Sequence, residues 1–117
     1  ISGKQCSKQA NVQEVADQTV SCLVKNVPAE LPGIVFLSGG QSAKLATAHL
    51  NAMNASNPEL PWPLSFSYGR ALQEPCLNAW GGKESNLEAA QRALLHRSEC
   101  NSLACKGIYN ADMESTT

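Results

Sequence analysis

Ile34-Val35-Phe36-Leu37-Ser38-Gly39-Gly40-Gln41-Ser42 changes character at its fifth residue. The first four are apolar, rich in β-branched and aromatic types, and bounded by Pro32-Gly33 and Gly39-Gly40, the signature of a buried strand. Beyond them Ser38 offers a hydroxyl, and Gly39 and Gly40 lack the Cβ atoms that would keep backbone N–H groups from closing on an anion. Leu64-Ser65-Phe66-Ser67-Tyr68-Gly69-Arg70 repeats the device: Ser67 and Gly69 line the turn, and Arg70 adds a permanent charge whose planar fork can grip two phosphate oxygens. Either segment alone is an ordinary strand-to-helix turn. Two of them, each opening onto a helix, look like a divided phosphate cradle.

Outward from these strands the pattern is helical. Asn11 with Glu14 three residues on opens a helix whose apolar positions are Val12, Val15, Ala16, Val20, Leu23, Val24 and Val27, and Pro28 ends it. A second helix from about Ser42 to Asn54 turns Ala46, Leu50 and Met53 inward, and a Pro/Asn loop leads to the second strand. After it come a short turn over 70–73, a helical stretch opened by Pro75, and a last helix with Ser85 and Glu88 as its capping box and Leu87, Ala90 and Leu94 on one face. Gly107 marks its end. The order helix, strand, helix, strand, helix is that of an alternating βα chain.

Composition excludes several roles. Nine basic and ten acidic side chains leave a net charge of −1, so no global field recruits nucleic acid or an anionic membrane. Six aromatics are too few for a base-stacking surface, and no apolar run approaches the roughly 20 residues of a membrane helix. Cys6, Cys22, Cys76, Cys100 and Cys105 form no CxxC pair and stand beside no histidines at zinc spacing, which suits reduced thiols in a cytoplasmic protein and gives no metal site. Cys22 reads as a residue packed in its helix, His49 as a packed or surface imidazole, and His96 as solvated.

LSGGQS at 37–42, LNAMN at 50–54, LSFSYGRALQ at 64–73, NAWGGK at 78–83 and NSLAC at 101–105 together resemble class I fructose-bisphosphate aldolase. The likeness runs over residues 1–109. It implies an α/β fold that is the C-terminal part, about the last two βα units, of a TIM (β/α)8 barrel, with residues 110–117 as a flexible tail. Such a barrel needs about 250 residues, whereas this sequence has 117. A parallel pair cut from a closed barrel would expose strand edges and apolar helix faces, so the chain is expected to be unstable alone.

The resemblance also implies a lyase of glycolysis that cleaves fructose 1,6-bisphosphate to dihydroxyacetone phosphate and glyceraldehyde 3-phosphate through a lysine Schiff base, without cofactor or metal. The reacting lysine is expected upstream of Ile1. None of Lys4, Lys8, Lys25, Lys44, Lys83 and Lys106 comes directly after an apolar strand, so no catalytic residue is expected in this chain. Ser38, Gly39, Gly40, Ser67, Gly69 and Arg70 match the family's substrate-phosphate positions. A homotetramer is the assembly the resemblance suggests. Family members usually carry acidic residues after the QS; here Ala43-Lys44-Leu45 stand instead, forgoing a favourable helix-dipole interaction of about 0.3–1 kcal/mol. Thr117 is not the tyrosine that ends many family tails, which leaves that role open.

Two function classes remain. One is an aldolase fragment that supplies the phosphate cradle and acts with the remainder of the barrel. The other is a non-catalytic phosphate-binding or interaction module derived from the same barrel.

Overall fold

One βαβ unit organises the computed structural model, which describes residues 1–115. The elements are α1 Val12–Asn26, β1 Ile34–Phe36, α2 Ala43–Ser56, β2 Leu64–Phe66, α3 Arg70–Trp80 and α4 Leu87–Cys105, with 3-10 turns at Glu84–Asn86 and Ala111–Ser115. The strands pair in parallel, Ile34 opposite Leu64, Val35 opposite Ser65 and Phe36 opposite Phe66. The fold is α/β. Among the described residues no helix is long and apolar enough to cross a membrane.

Local chemistry starts the first two helices as their sequences suggest. The Asn11 side chain accepts the Glu14 backbone N–H at 2.9 Å and donates to the Glu14 carboxylate at 3.0 Å. Ser42 Oγ accepts from Leu45 N–H at 3.2 Å, capping α2 without any acidic residue in its first turn. Ala46, Leu50 and Met53 are buried on the inner face of α2, and Leu50 and Met53 join Ala16, Val20, Trp62, Leu64 and Ala104 in the main core. Complete burial of a leucine such as Leu50 contributes about 1.5–3 kcal/mol. Trp62 closes the floor of this core, its indole N–H donating to the Pro28 carbonyl at 2.9 Å.

The C-terminal half departs from the sequence reading. Pro75 lies inside α3 instead of opening a helix, since the turn expected at 70–73 is already helical. Ser85 sits in the 3-10 turn, Asn86 takes the cap position of α4 without a side-chain capping bond and donates instead to the Trp80 carbonyl at 3.0 Å, and Glu88 pairs with Arg92 at 2.7 Å. Of the expected inner face only Ala90 is buried; Leu87 and Leu94 are exposed, and the buried stripe continues instead through Arg97, Cys100, Asn101 and Ala104. Polar residues take those places because they bond one another across α2 and α4. Cys22 is exposed rather than packed.

Gly107, at φ 71°, ends α4 in a Schellman turn: Gly107 N–H donates to the Ala104 carbonyl and Ile108 N–H to the Leu103 carbonyl, both at 3.1 Å. Tyr109 N–H then donates to Asn51 Oδ1 at 3.0 Å. The segment read as a flexible tail begins at 110, and the part of it up to Ser115 includes the second 3-10 turn, whose Glu114 contacts α4. Residues 116 and 117, and with them the question of a terminal tyrosine, lie outside the described residues.

Candidate functional site: a polar cleft at the ends of two parallel strands

Because β1 and β2 run parallel, their C-terminal ends emerge side by side, and each leads into a loop that starts a helix. The first loop is a turn over Ser38–Gln41, closed by Gln41 N–H donating to the Ser38 carbonyl at 3.0 Å. Gly40 takes φ 77° there, a value an L side chain would oppose. Ser67 N–H donates to the Phe36 carbonyl at 2.8 Å and carries the pairing one residue past β2. Tyr68 is buried, and its hydroxyl donates to the Ala46 carbonyl at 2.8 Å, fastening the second loop to α2. Burial, with the Cys105 charge as a lesser cause, pushes the Tyr68 phenol above its ordinary range, so it stays a donor.

The two loops touch through one side chain. Ser38 is 6% exposed, and its Oγ accepts the Ala71 backbone N–H at 3.3 Å. Ala71 belongs to the first turn of α3, where backbone N–H groups have no partner inside the helix and the dipole is positive. Arg70 immediately precedes it. Lys4, Leu37, Ser38, Gly39, Gly40, Gln41, Gly69, Arg70 and Glu74 line a cleft of about 360 Å³.

Five of the six residues selected from the sequence therefore border one opening. Ser67 is exposed and lies outside this lining set. Two cations, Lys4 and Arg70, face one carboxylate, Glu74, and among the described residues Arg70 has no ion pair. An added Cβ at Gly39 or Gly69 would meet no protein atom within 4 Å, so internal packing does not dictate glycine at either position. Such an arrangement can receive an anion between a hydroxyl, free backbone amides and a guanidinium.

Sequence reasoning missed Lys4, Gln41 and Glu74. Lys4 sits in an opening coil without period, and only tertiary packing brings that coil to the strand ends. Gln41 is fixed from behind, its Oε1 lying 2.7 Å from His49 Nδ1. His49 is buried, and that burial lowers its pKa, which favours the neutral ring donating through Nδ1.

A larger opening of about 650 Å³ flanks α4, and beside it lies a polar core. Arg97 donates to Glu114 Oε2 and to Thr47 Oγ1, each at 2.6 Å, and Thr47 Oγ1 lies 2.7 Å from Asn101 Oδ1. Burial alone would raise the Glu114 carboxyl, but hydrogen bonds from Arg97, Tyr109 and His96 outweigh it and draw the pKa down to about 2. Burial first, then donation to Glu114, pushes Tyr109 up to about 12. This network is structural glue between α2, α4 and the segment after Tyr109.

A family model described as fructose-bisphosphate aldolase class-I matches residues 1–117. The chain belongs to the class I fructose-bisphosphate aldolase family. It is 54% identical over 107 residues to fructose-bisphosphate aldolase B of Gallus gallus, covering 92% of this chain and 29% of that one. It is 49% identical over 116 residues to the fructose-bisphosphate aldolase of Dictyostelium discoideum, covering 99% and 32%. A crystal structure of the Plasmodium falciparum aldolase, solved with TRAP and a small-molecule inhibitor, superposes with a TM-score of 0.90 at 49% identity over 94% of this chain and 31% of that one. The chain thus spans about a third of the length of the relatives it matches.

Proposed function

We propose that this chain forms the phosphate-holding end of a class I fructose-bisphosphate aldolase barrel and contributes its last two βα units. The observation that carries this is the Ser38–Ala71 hydrogen bond, which joins two strand-end loops so that Ser38, Gly39, Gly40, Gly69 and Arg70 border one cleft. Barrels of this class keep their sites at the C-terminal ends of strands and commonly bind phosphate with the last two loops. Val35 and Leu37, 61% and 76% exposed, offer apolar surface for the remainder of the barrel to cover.

In this reading a lysine of the rest of the barrel condenses with the ketose carbonyl, releasing water. The protonated imine then accepts the electron pair of the breaking carbon–carbon bond. The cradle acts at a distance: Ser38, the glycine amides and Arg70 hold a substrate phosphate, so that the carbonyl carbon meets the amine as a positioned encounter. Fructose 1,6-bisphosphate is the substrate, with dihydroxyacetone phosphate and glyceraldehyde 3-phosphate the products. The assembly is a cytoplasmic homotetramer.

Borohydride trapping tests the proposal. The full-length protein incubated with fructose 1,6-bisphosphate and borohydride should become covalently labelled and lose activity, whereas the 117-residue chain should not be labelled. A full-length protein that binds phosphate esters yet is never trapped would instead favour the non-catalytic module.

A further inference from the structure

Away from the cleft, three side chains of metal-ligand type converge where α4 meets the C-terminal 3-10 turn. His96 Nε2 lies 3.7 Å from Cys100 Sγ and 3.3 Å from Glu114 Oε2, and the three donor atoms fall within 4.8 Å of one another. His96 and Cys100 share a face because they stand four residues apart on α4. Glu114 arrives from the far side of Gly107, which is why spacing along the chain shows no zinc pattern.

The separations suit a tetrahedral cation. With bonds of about 2.0–2.1 Å to nitrogen and oxygen and about 2.3 Å to sulfur, tetrahedral angles require roughly 3.3 Å between N and O and roughly 3.6 Å between N and S. Two edges of such a tetrahedron are already in place. Proton counting points the same way. A neutral Nε2 either accepts from the thiol or donates to the carboxylate, so it cannot serve both neighbours as a hydrogen-bond partner. A cation on the Nε2 lone pair would satisfy all three.

We propose that His96, Cys100 and Glu114 bind a divalent zinc-class cation, which clips the segment after Tyr109 to α4. His96 and Glu114 also line the 650 Å³ opening, so the ion has an entry route and a solvent molecule can fill the fourth position. Binding transfers the Cys100 thiol proton to solvent; because the Arg97 guanidinium also sits on Glu114, thiolate and carboxylate leave one net positive charge, which a hydroxide in the fourth position would offset. Glu114 keeps its other bonds, with Tyr109 donating to Oε1 at 2.8 Å and Arg97 to the second lone pair of Oε2. The ion therefore adds to the Arg97 contact without displacing it.

Cobalt(II) is the probe, added to metal-free full-length protein. One equivalent per chain should produce a thiolate-to-cobalt charge-transfer band together with visible bands of tetrahedral intensity, and zinc should abolish both. Cys100→Ser should remove the charge-transfer band, and His96→Gln should weaken binding by more than the roughly 10- to 100-fold that losing an outer-shell partner costs. Glu114→Gln should do likewise, but it also disturbs Arg97, so His96→Gln at its half-buried position is the decisive variant. Cys6→Ser and Cys22→Ser, at exposed cysteines, should leave the spectrum unchanged. A missing charge-transfer band in the unmodified protein, a band that survives Cys100→Ser, or a cobalt affinity unchanged in His96→Gln would overturn the site.

Discussion

The Ser38 hydroxyl accepts the Ala71 backbone N–H at 3.3 Å, so a side chain of the first strand-end loop satisfies an amide in the first turn of the helix after the second. Ala71 is 2% exposed, and water cannot replace that acceptor. Ser38→Ala should therefore destabilise the fold by about 1–3 kcal/mol, the cost of an orphaned buried donor. The denaturant midpoint measures this. If the full-length protein has the proposed aldolase activity, the same change should raise its KM for fructose 1,6-bisphosphate.

Arg70 lines the same cleft and has no ion pair among the described residues, so its removal leaves no orphaned carboxylate behind. Arg70→Ala should leave the thermal midpoint nearly unchanged while lowering kcat/KM of the proposed full-length aldolase roughly 10- to 100-fold, as expected for a charge-assisted contact. Arg70→Lys should recover only part of the loss, because an ammonium cannot make the planar two-point contact. Lys4→Ala should have the smaller effect, since its coil is not fixed by the Ser38–Ala71 bond. An equal loss of stability and activity in Arg70→Ala would contradict the assignment.

His49 should make stability depend on pH. Its folded pKa lies below the ordinary 6.5 because burial disfavours the charged ring, so the unfolded chain binds the proton first. The neutral ring's contribution is complete above pH 6.5 and declines as pH falls from there toward the folded value. Unfolding free energies measured between neutral and mildly acidic pH should fall with acidification, and His49→Gln should flatten that slope.

Gly107 meets two demands that substitutions can separate. Its φ is 71°, and an added Cβ would lie 2.9 Å from the Ala55 backbone nitrogen. Gly107→Ala should cost more than the roughly 1–2 kcal/mol of left-handed strain alone. Gly107→Asn should be about as damaging, because asparagine tolerates the dihedral but still carries the Cβ. At Gly81, with φ 58° and no atom within 4 Å of a Cβ, asparagine should be accepted. Thermal midpoints of the variants decide between strain and contact.

The parallel strand pair, α1 and α2 were legible because their signals are local. Asn11 caps α1 and Ser42 caps α2, and Ala46, Leu50 and Met53 recur at helical spacing. Residues 70–105 were harder, because tertiary contacts override local preference there. Pro75 sits within a continuous helix, and Ser85 carries a capping signature that the 3-10 turn before α4 leaves unused. Leu87 and Leu94 have the period of an inner face, yet Arg97 and Asn101 occupy the interior because Thr47 and Glu114 are there to bond them. Such pairings leave no trace in a periodicity.

By itself the sequence determined the βα alternation, the family and five of the residues that border the cleft, because strand ends, glycines and a permanently charged arginine are short-range features. Tertiary structure alone decided that Ser38 would spend its hydroxyl on Ala71, that Lys4 would reach the strand ends, and that Glu114 would return to His96 and Cys100. Each of these joins residues far apart along the chain. Their meeting depends on how the helices pack, which no local pattern encodes.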